Sequence, residues 1–149
     1  MILPAQAIRK LKPILPFFER TVHDGMSYGL SHAGYDVRIA ETVVLSPGAS
    51  CLASTMEEFF MPNDLVAFVH DKSTWARRGL SLFNTVIEPG WNGFLTLELV
   101  NHSAGALHIE AGSPIAQIIF MRMEEPTEKP YTGKYQNQGR GPQEAIDER

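Results

Sequence analysis

The 149-residue chain is poor in the features that would place it in several large protein classes. It has one cysteine, Cys51, so an internal disulfide and any cysteine-based zinc cluster are excluded. Its net charge of -4 gives nucleic acid and anionic membranes nothing to attract in the overall field, so any cationic site must be local. No apolar run approaches the length of a membrane span, and Met1–Lys12 lacks the long apolar core of a signal peptide. The reading is a cytoplasmic protein with no nucleic-acid or membrane partner. No internal repeat is visible, and after Gly34 helix signals nearly vanish.

What is present is β-like. YDVRI, TVVLS, CLAST, LVAFVH, FLTLELV, ALHIE and PIAQIIFMRM are short, β-branched or alternating segments. They are separated by turn compositions such as SPG, MPND, EPGWNG and NHSAG. The spacing and the 44% apolar content predict one all-β barrel or sandwich domain over residues 1–149. AQAIRKLK can make an amphipathic turn or two before Pro13 and Pro16. The one clear interruption of the β pattern is STWARRG, a short helix that Ser73 or Thr74 can cap and Gly79 can end. From Glu124 onward the chain is polar and rich in Gly, Pro and Gln, the composition of a disordered tail.

Two places could carry chemistry. In a strand over FLTLELV, Leu95, Leu97 and Leu99 share one face while Phe94, Thr96, Glu98 and Val100 share the other. A carboxylate on a largely apolar face either pairs with a cation or carries a raised pKa suited to general acid/base work. An edge-strand glutamate facing water fits the pattern equally well. The second place is KSTWARRG, where Arg77 lies four positions after Ser73 and so on the same helix face, an arrangement that suits phosphate or carboxylate. A solvated basic turn anchored by Trp75 is the simpler reading of that segment in isolation. His108 precedes Glu110 by two residues, but the zinc-deaminase pattern also needs a PCxxC pair, which one cysteine cannot supply. His108 therefore reads as a strand residue facing solvent.

Five blocks in order resemble the dCTP deaminases, which share a homotrimeric β fold with the dUTPases: GYDVRI, LASTMEEFFMPNDLVAFVHDKSTWARRGL, IEPGWNGFLTLEL, SPIAQIIF and PYTGKYQNQGRGP. The resemblance spans about Gly34 to Gln138 and implies a dUTPase-like barrel or jelly roll with one short helix and sites between subunits. It implies hydrolytic deamination of dCTP to dUTP and ammonia, with Glu98 activating the water and shuttling its proton, and Ser73 and Arg77 organising the site. It further implies that Lys72, Glu88, Gln117, Tyr131, Lys134 and Gln138 bind substrate, that Mg²⁺ arrives on the triphosphate with no protein-ligated metal, and that residues from about 131 to 149 form a mobile lid. The match departs at Glu88, where the family has aspartate, at Lys72, where it usually has arginine, and in RGLSLFNTVI, which is shorter than in typical members. Gln117, and Val86 where monofunctional deaminases often carry a basic residue, leave dUTP cleavage open, alone or coupled to deamination. The Glu88 substitution and the shortened loop keep a non-catalytic nucleotide-binding module as the rival from another class.

Overall fold

The computed structural model describes residues 1–148. Its elements run α1 (Ala5–Leu11), β1 (Ile14–Leu15), β2 (Thr21–His23), β3 (Met26–Leu30), β4 (Tyr35–Arg38), β5 (Val43–Leu45), β6 (Ser50–Phe60) and β7 (Leu65–Asp71). There follow α2 (Ser73–Ala76), β8 (Leu80–Leu82), β9 (Asn92–Asn101), β10 (Leu107–Ile109) and β11 (Pro114–Arg122). Antiparallel pairing gives a four-stranded sheet in the order β1-β6-β9-β8, a five-stranded sheet in the order β2-β3-β4-β11-β7, and the small ribbon β10-β5. None of the described helices is long and apolar enough to cross a membrane.

Alternation explains which sides of the long strands meet. Along β11, Ala116, Ile118 and Phe120 are buried, and along β9 Leu97 and Leu99 are buried, as a two-residue period requires. They join Tyr35 and Val37 of β4 and Phe59 of β6 in one shared core. The expected face of β9 holds for Leu97 and Leu99 but not for Leu95, which is only half-buried. The reason is a bulge: Ser54 faces Thr96 and Glu58 faces Phe94, so β6 has more residues than β9 across this interval. The Leu95 amide turns instead to the Thr55 hydroxyl, at 3.0 Å. The same bulge turns Glu57 fully inward, where Arg38 meets it at 2.8 Å.

The described residues form two helices rather than one. α1 follows Pro4, buries Ile8 and closes at Lys12, whose left-handed backbone (φ 49) precedes Pro13. Seven residues suffice because the helix is anchored by that apolar side chain rather than by propensity. In α2, Lys72 and not Ser73 occupies the N-cap position, and no side chain caps the helix. Trp75 holds it to the body, buried and donating its indole N–H to the Pro114 carbonyl at 2.8 Å.

Two strands lie between Pro16 and Gly34, a polar, Gly-containing stretch. β2 and β3 form a hairpin with His23 opposite Met26, and its two turn residues, Asp24 (φ 48) and Gly25 (φ 79), both have positive φ. That is the primed turn which matches the natural twist of paired strands.

Candidate active site

A cleft of about 720 Å³ opens where the segment after β8, strand β9 and the C-terminal tail meet. Glu98 projects from β9 into it, and Glu88 lines it from the loop before Trp91. Tyr131, Lys134 and Gln138 line it from the tail. The structure thus gathers five of the residues singled out in the sequence around one cavity.

Glu98 sits on the half-buried side of β9, and its backbone is fixed on the edge side. The Phe83 amide donates to its carbonyl at 3.0 Å, and its own amide donates to Asn84 Oδ1 at 2.9 Å. Burial pushes the carboxyl above the ordinary glutamate range. Among the described residues no cation stands within ion-pair distance of it, so nothing opposes that rise. A carboxyl raised in this way holds its proton more readily than a solvated glutamate, as a general acid/base must.

The tail is attached mainly through polar groups, which is why its composition reads as disordered. Trp91 Nε1 donates to the Tyr135 carbonyl at 2.6 Å, and Gln138 Nε2 donates to the Phe94 carbonyl at 2.8 Å and to Thr96 Oγ1 at 2.7 Å. Gln138 also bridges to Gly93, whose φ of 148 and lack of a side chain allow the approach: a Cβ there would stand 2.7 Å from the Gln138 nitrogen. Arg140 lies over the Phe94 ring at 4.7 Å. Lys134 is met by Glu148 at 3.3 Å. The final residue of the expected 131–149 lid, Arg149, lies outside the described residues.

The other expected site residues lie elsewhere in the chain. Ser73 and Arg77 are exposed on α2, with the Arg77 amide bonded to the Ser73 carbonyl at 3.0 Å. Lys72 is committed to Asp36 at 2.9 Å, with both side chains only 10% exposed. Burial raises the Asp36 carboxyl, and its hydrogen bond to Lys72 opposes that rise. Gln117 on β11 donates to Ser31 Oγ at 2.9 Å. None of these four lines the Glu98 cleft. His108 is exposed beside Glu110, and among the described residues no three His, Cys, Asp or Glu side chains are grouped to hold a metal.

Two contributors to the cleft were not singled out in the sequence. Asn84 has the signal of a polar residue set in SLFNTVI, just past a strand end. Trp91 is buried against Phe59, with ring centroids 5.9 Å apart, and holds the tail through its indole.

Among the solved structures that share this architecture are dUTPases. The EIAV dUTPase aligns with a TM-score of 0.58 at 19% identity, covering 70% of this chain and 87% of that one. The dUTPase of Staphylococcus aureus phage phi11, whose structure concerns coordination of a structural Mg(II) ion, aligns at 0.60 and 19%, covering 78% and 91%. The fold is therefore that of the dUTPase-like β proteins. A family model described as dCTP deaminase-like matches residues 30–123. The dCTP deaminase of Campylobacter fetus is 35% identical, over 84% of this chain and 85% of its own length. That of Pyrococcus horikoshii is 33% identical over 94% of each. The chain belongs to the dCTP deaminase-like family.

Proposed function

We propose that the protein hydrolyses dCTP to dUTP and ammonia. The observation that carries this reading is the Glu98 carboxyl, raised by burial and without an ion-pair partner among the described residues, in a cleft that also presents Lys134. Ionised Glu98 takes a proton from a water molecule as its oxygen attacks C4 of the cytosine ring. The same carboxyl returns a proton to the exocyclic amino group, and the C4–N bond breaks to release ammonia. The substrate is the triphosphate with its Mg²⁺, and Lys134 is suited to its negative charge once the ammonium parts from Glu148. Tyr131 and Gln138 would contact the sugar and phosphates, and Glu88 the sugar.

Within one chain Ser73 and Arg77 stand outside the Glu98 cleft, as do Lys72 and Gln117. We infer that a second copy brings α2 to this cleft, in a homotrimer with sites between subunits. Apolar groups at the mouth favour such a contact, since Phe83 is 53% exposed and Val86 43%. In that arrangement Ser73 holds the attacking water and Arg77 organises the site, while the tail from Tyr131 acts as a lid.

Glu88 supports a second reading. Its carboxylate lines the same cleft and could activate water toward a phosphate, which would make the protein a dUTP diphosphatase or a bifunctional enzyme giving dUMP. The test is to incubate the protein with each deoxynucleoside triphosphate and Mg²⁺ and follow ammonia and pyrophosphate separately. Ammonia from dCTP without pyrophosphate is expected. Pyrophosphate from dUTP would establish the second reading, and no ammonia from any nucleotide would overturn the first.

A further inference from the structure

We propose that Asn84 is a positioning residue for Glu98, its amide group clamping the edge of β9 on which the carboxyl is mounted. The inference rests on the deaminase reading and adds to it a residue that acts through the backbone on which the carboxyl is mounted. The β8–β9 ladder ends with Leu82 opposite Leu99, and the last main-chain bond on that edge runs from the Phe83 amide to the Glu98 carbonyl. From there the chain departs toward Ile87, which pairs with Ala67 of β7. The Thr96 carbonyl and the Glu98 amide are thereby left without a neighbouring strand at the wall of the cleft. Asn84 supplies both missing partners. Its Oδ1 accepts from the Glu98 amide at 2.9 Å, and its Nδ2 donates to the Thr96 carbonyl at 2.7 Å.

Only a side-chain amide combines an acceptor and a donor at that spacing. Aspartate has the shape without the donor, and alanine has neither group. The pairing also fixes which way the Asn84 amide faces, because the reverse orientation would set donor against donor at Glu98. Fixing the strand matters more for Glu98 than for most carboxylates. No cation among the described residues holds its head group, so its placement depends on the backbone beneath it. A general base displaced by about 1 Å can lose on the order of 100-fold in rate, while substrate contacts made elsewhere persist.

The experiment compares wild type, Asn84→Ala and Asn84→Asp by ammonia release from dCTP across pH, with thermal melting in parallel. For Asn84→Ala, kcat should fall on the order of 10- to 100-fold, with KM within about threefold of wild type. Asn84→Asp should also lose kcat, and its acidic limb should move to higher pH, because a carboxylate beside Glu98 disfavours the ionised form. The other titratable groups on the cleft are Glu88, Lys134, Glu148, Tyr131 and Tyr135. They are common to all three proteins, so a moved limb reports position 84. Aspartate is isosteric with asparagine, so that variant decides the matter if the alanine protein does not fold. Wild-type kcat in either variant overturns the role of Asn84, as does a loss that follows melting with an unmoved limb in Asn84→Asp. Absence of ammonia from the wild type overturns the deaminase reading itself, and this role with it.

Discussion

Glu57 and Glu98 stand on adjacent strands of one sheet, β6 and β9, and burial raises both carboxyls. They differ in what answers that burial. Glu57 is completely enclosed, yet Arg38 gives it a guanidinium bond at 2.8 Å and a backbone amide at 3.0 Å. The guanidinium in turn lies over the rings of Tyr28 at 4.5 Å and Phe18 at 5.1 Å. Glu98 is less enclosed but has no such partner among the described residues. A buried carboxylate with a cation and two hydrogen bonds ties elements together, here β4 to β6. A carboxylate with burial alone has little to hold it in one protonation state. The contrast separates the glutamate that secures the fold from the one suited to move protons.

Breaking the partnered side should have the largest effect. Arg38→Met leaves an uncompensated charge at Glu57 and should lower stability by about 3–5 kcal/mol in denaturant unfolding. A loss below about 1 kcal/mol would mean that Glu57 is not held as described. On the site side, Arg77→Ala should cost on the order of 2 kcal/mol in kcat/KM, while unfolding shifts by no more than about 0.5 kcal/mol because the residue is exposed. Unchanged kinetics would return KSTWARRG to the status of a solvated basic turn. Truncation after Pro130 should leave a folded protein that binds dCTP with Mg²⁺ about tenfold more weakly or worse, near 1.4 kcal/mol. Hydrogen exchange of the full chain should show residues from Tyr131 protected by nucleotide. Equal affinity with and without the tail, or equal exchange with and without nucleotide, would refute the lid.

The smallest effect is the position of a limb. In the proposed mechanism the ionised form of Glu98 is the base, and its carboxyl is raised, so activity should be lost as pH falls through a value above the ordinary glutamate range. An acidic limb at the value of a solvent-exposed glutamate would show that burial has not tuned this group.

Much of this was legible because the long strands alternate. FLTLELV and PIAQIIFMRM reveal their buried faces by period alone, and placing Glu98 opposite Leu97 and Leu99 follows from that. Leu95 escaped because a bulge in β6 breaks the period, and the bulge is recorded only in the pairing with β9. β1 and β8, at two and three residues, are too short to show any period. The β2–β3 hairpin was missed although the Asp-Gly pair in HDGM is a turn signal, because its strands carry Ser27 and Gly29 and show no apolar alternation. The resemblance named Glu98, Glu88 and the tail residues together. It could not say that Ser73, Arg77, Lys72 and Gln117 would lie outside the Glu98 cleft of a single chain. Asn84 stood out only as a polar residue in SLFNTVI, and its role was hidden because its two bonds go to backbone groups of another strand, which only the fold brings near.

The most direct test of the account is Glu98→Gln, measured for dCTP binding by calorimetry, for ammonia release, and for melting temperature. The amide keeps the shape but cannot take up the proton, so binding should stay within a few-fold of wild type while deamination falls on the order of 10²- to 10⁴-fold. Because an ionised Glu98 is desolvated without a cation to offset it, its removal should not lower the melting temperature. Turnover near the wild-type rate in a folded variant that binds dCTP would contradict the assignment of Glu98 as the base.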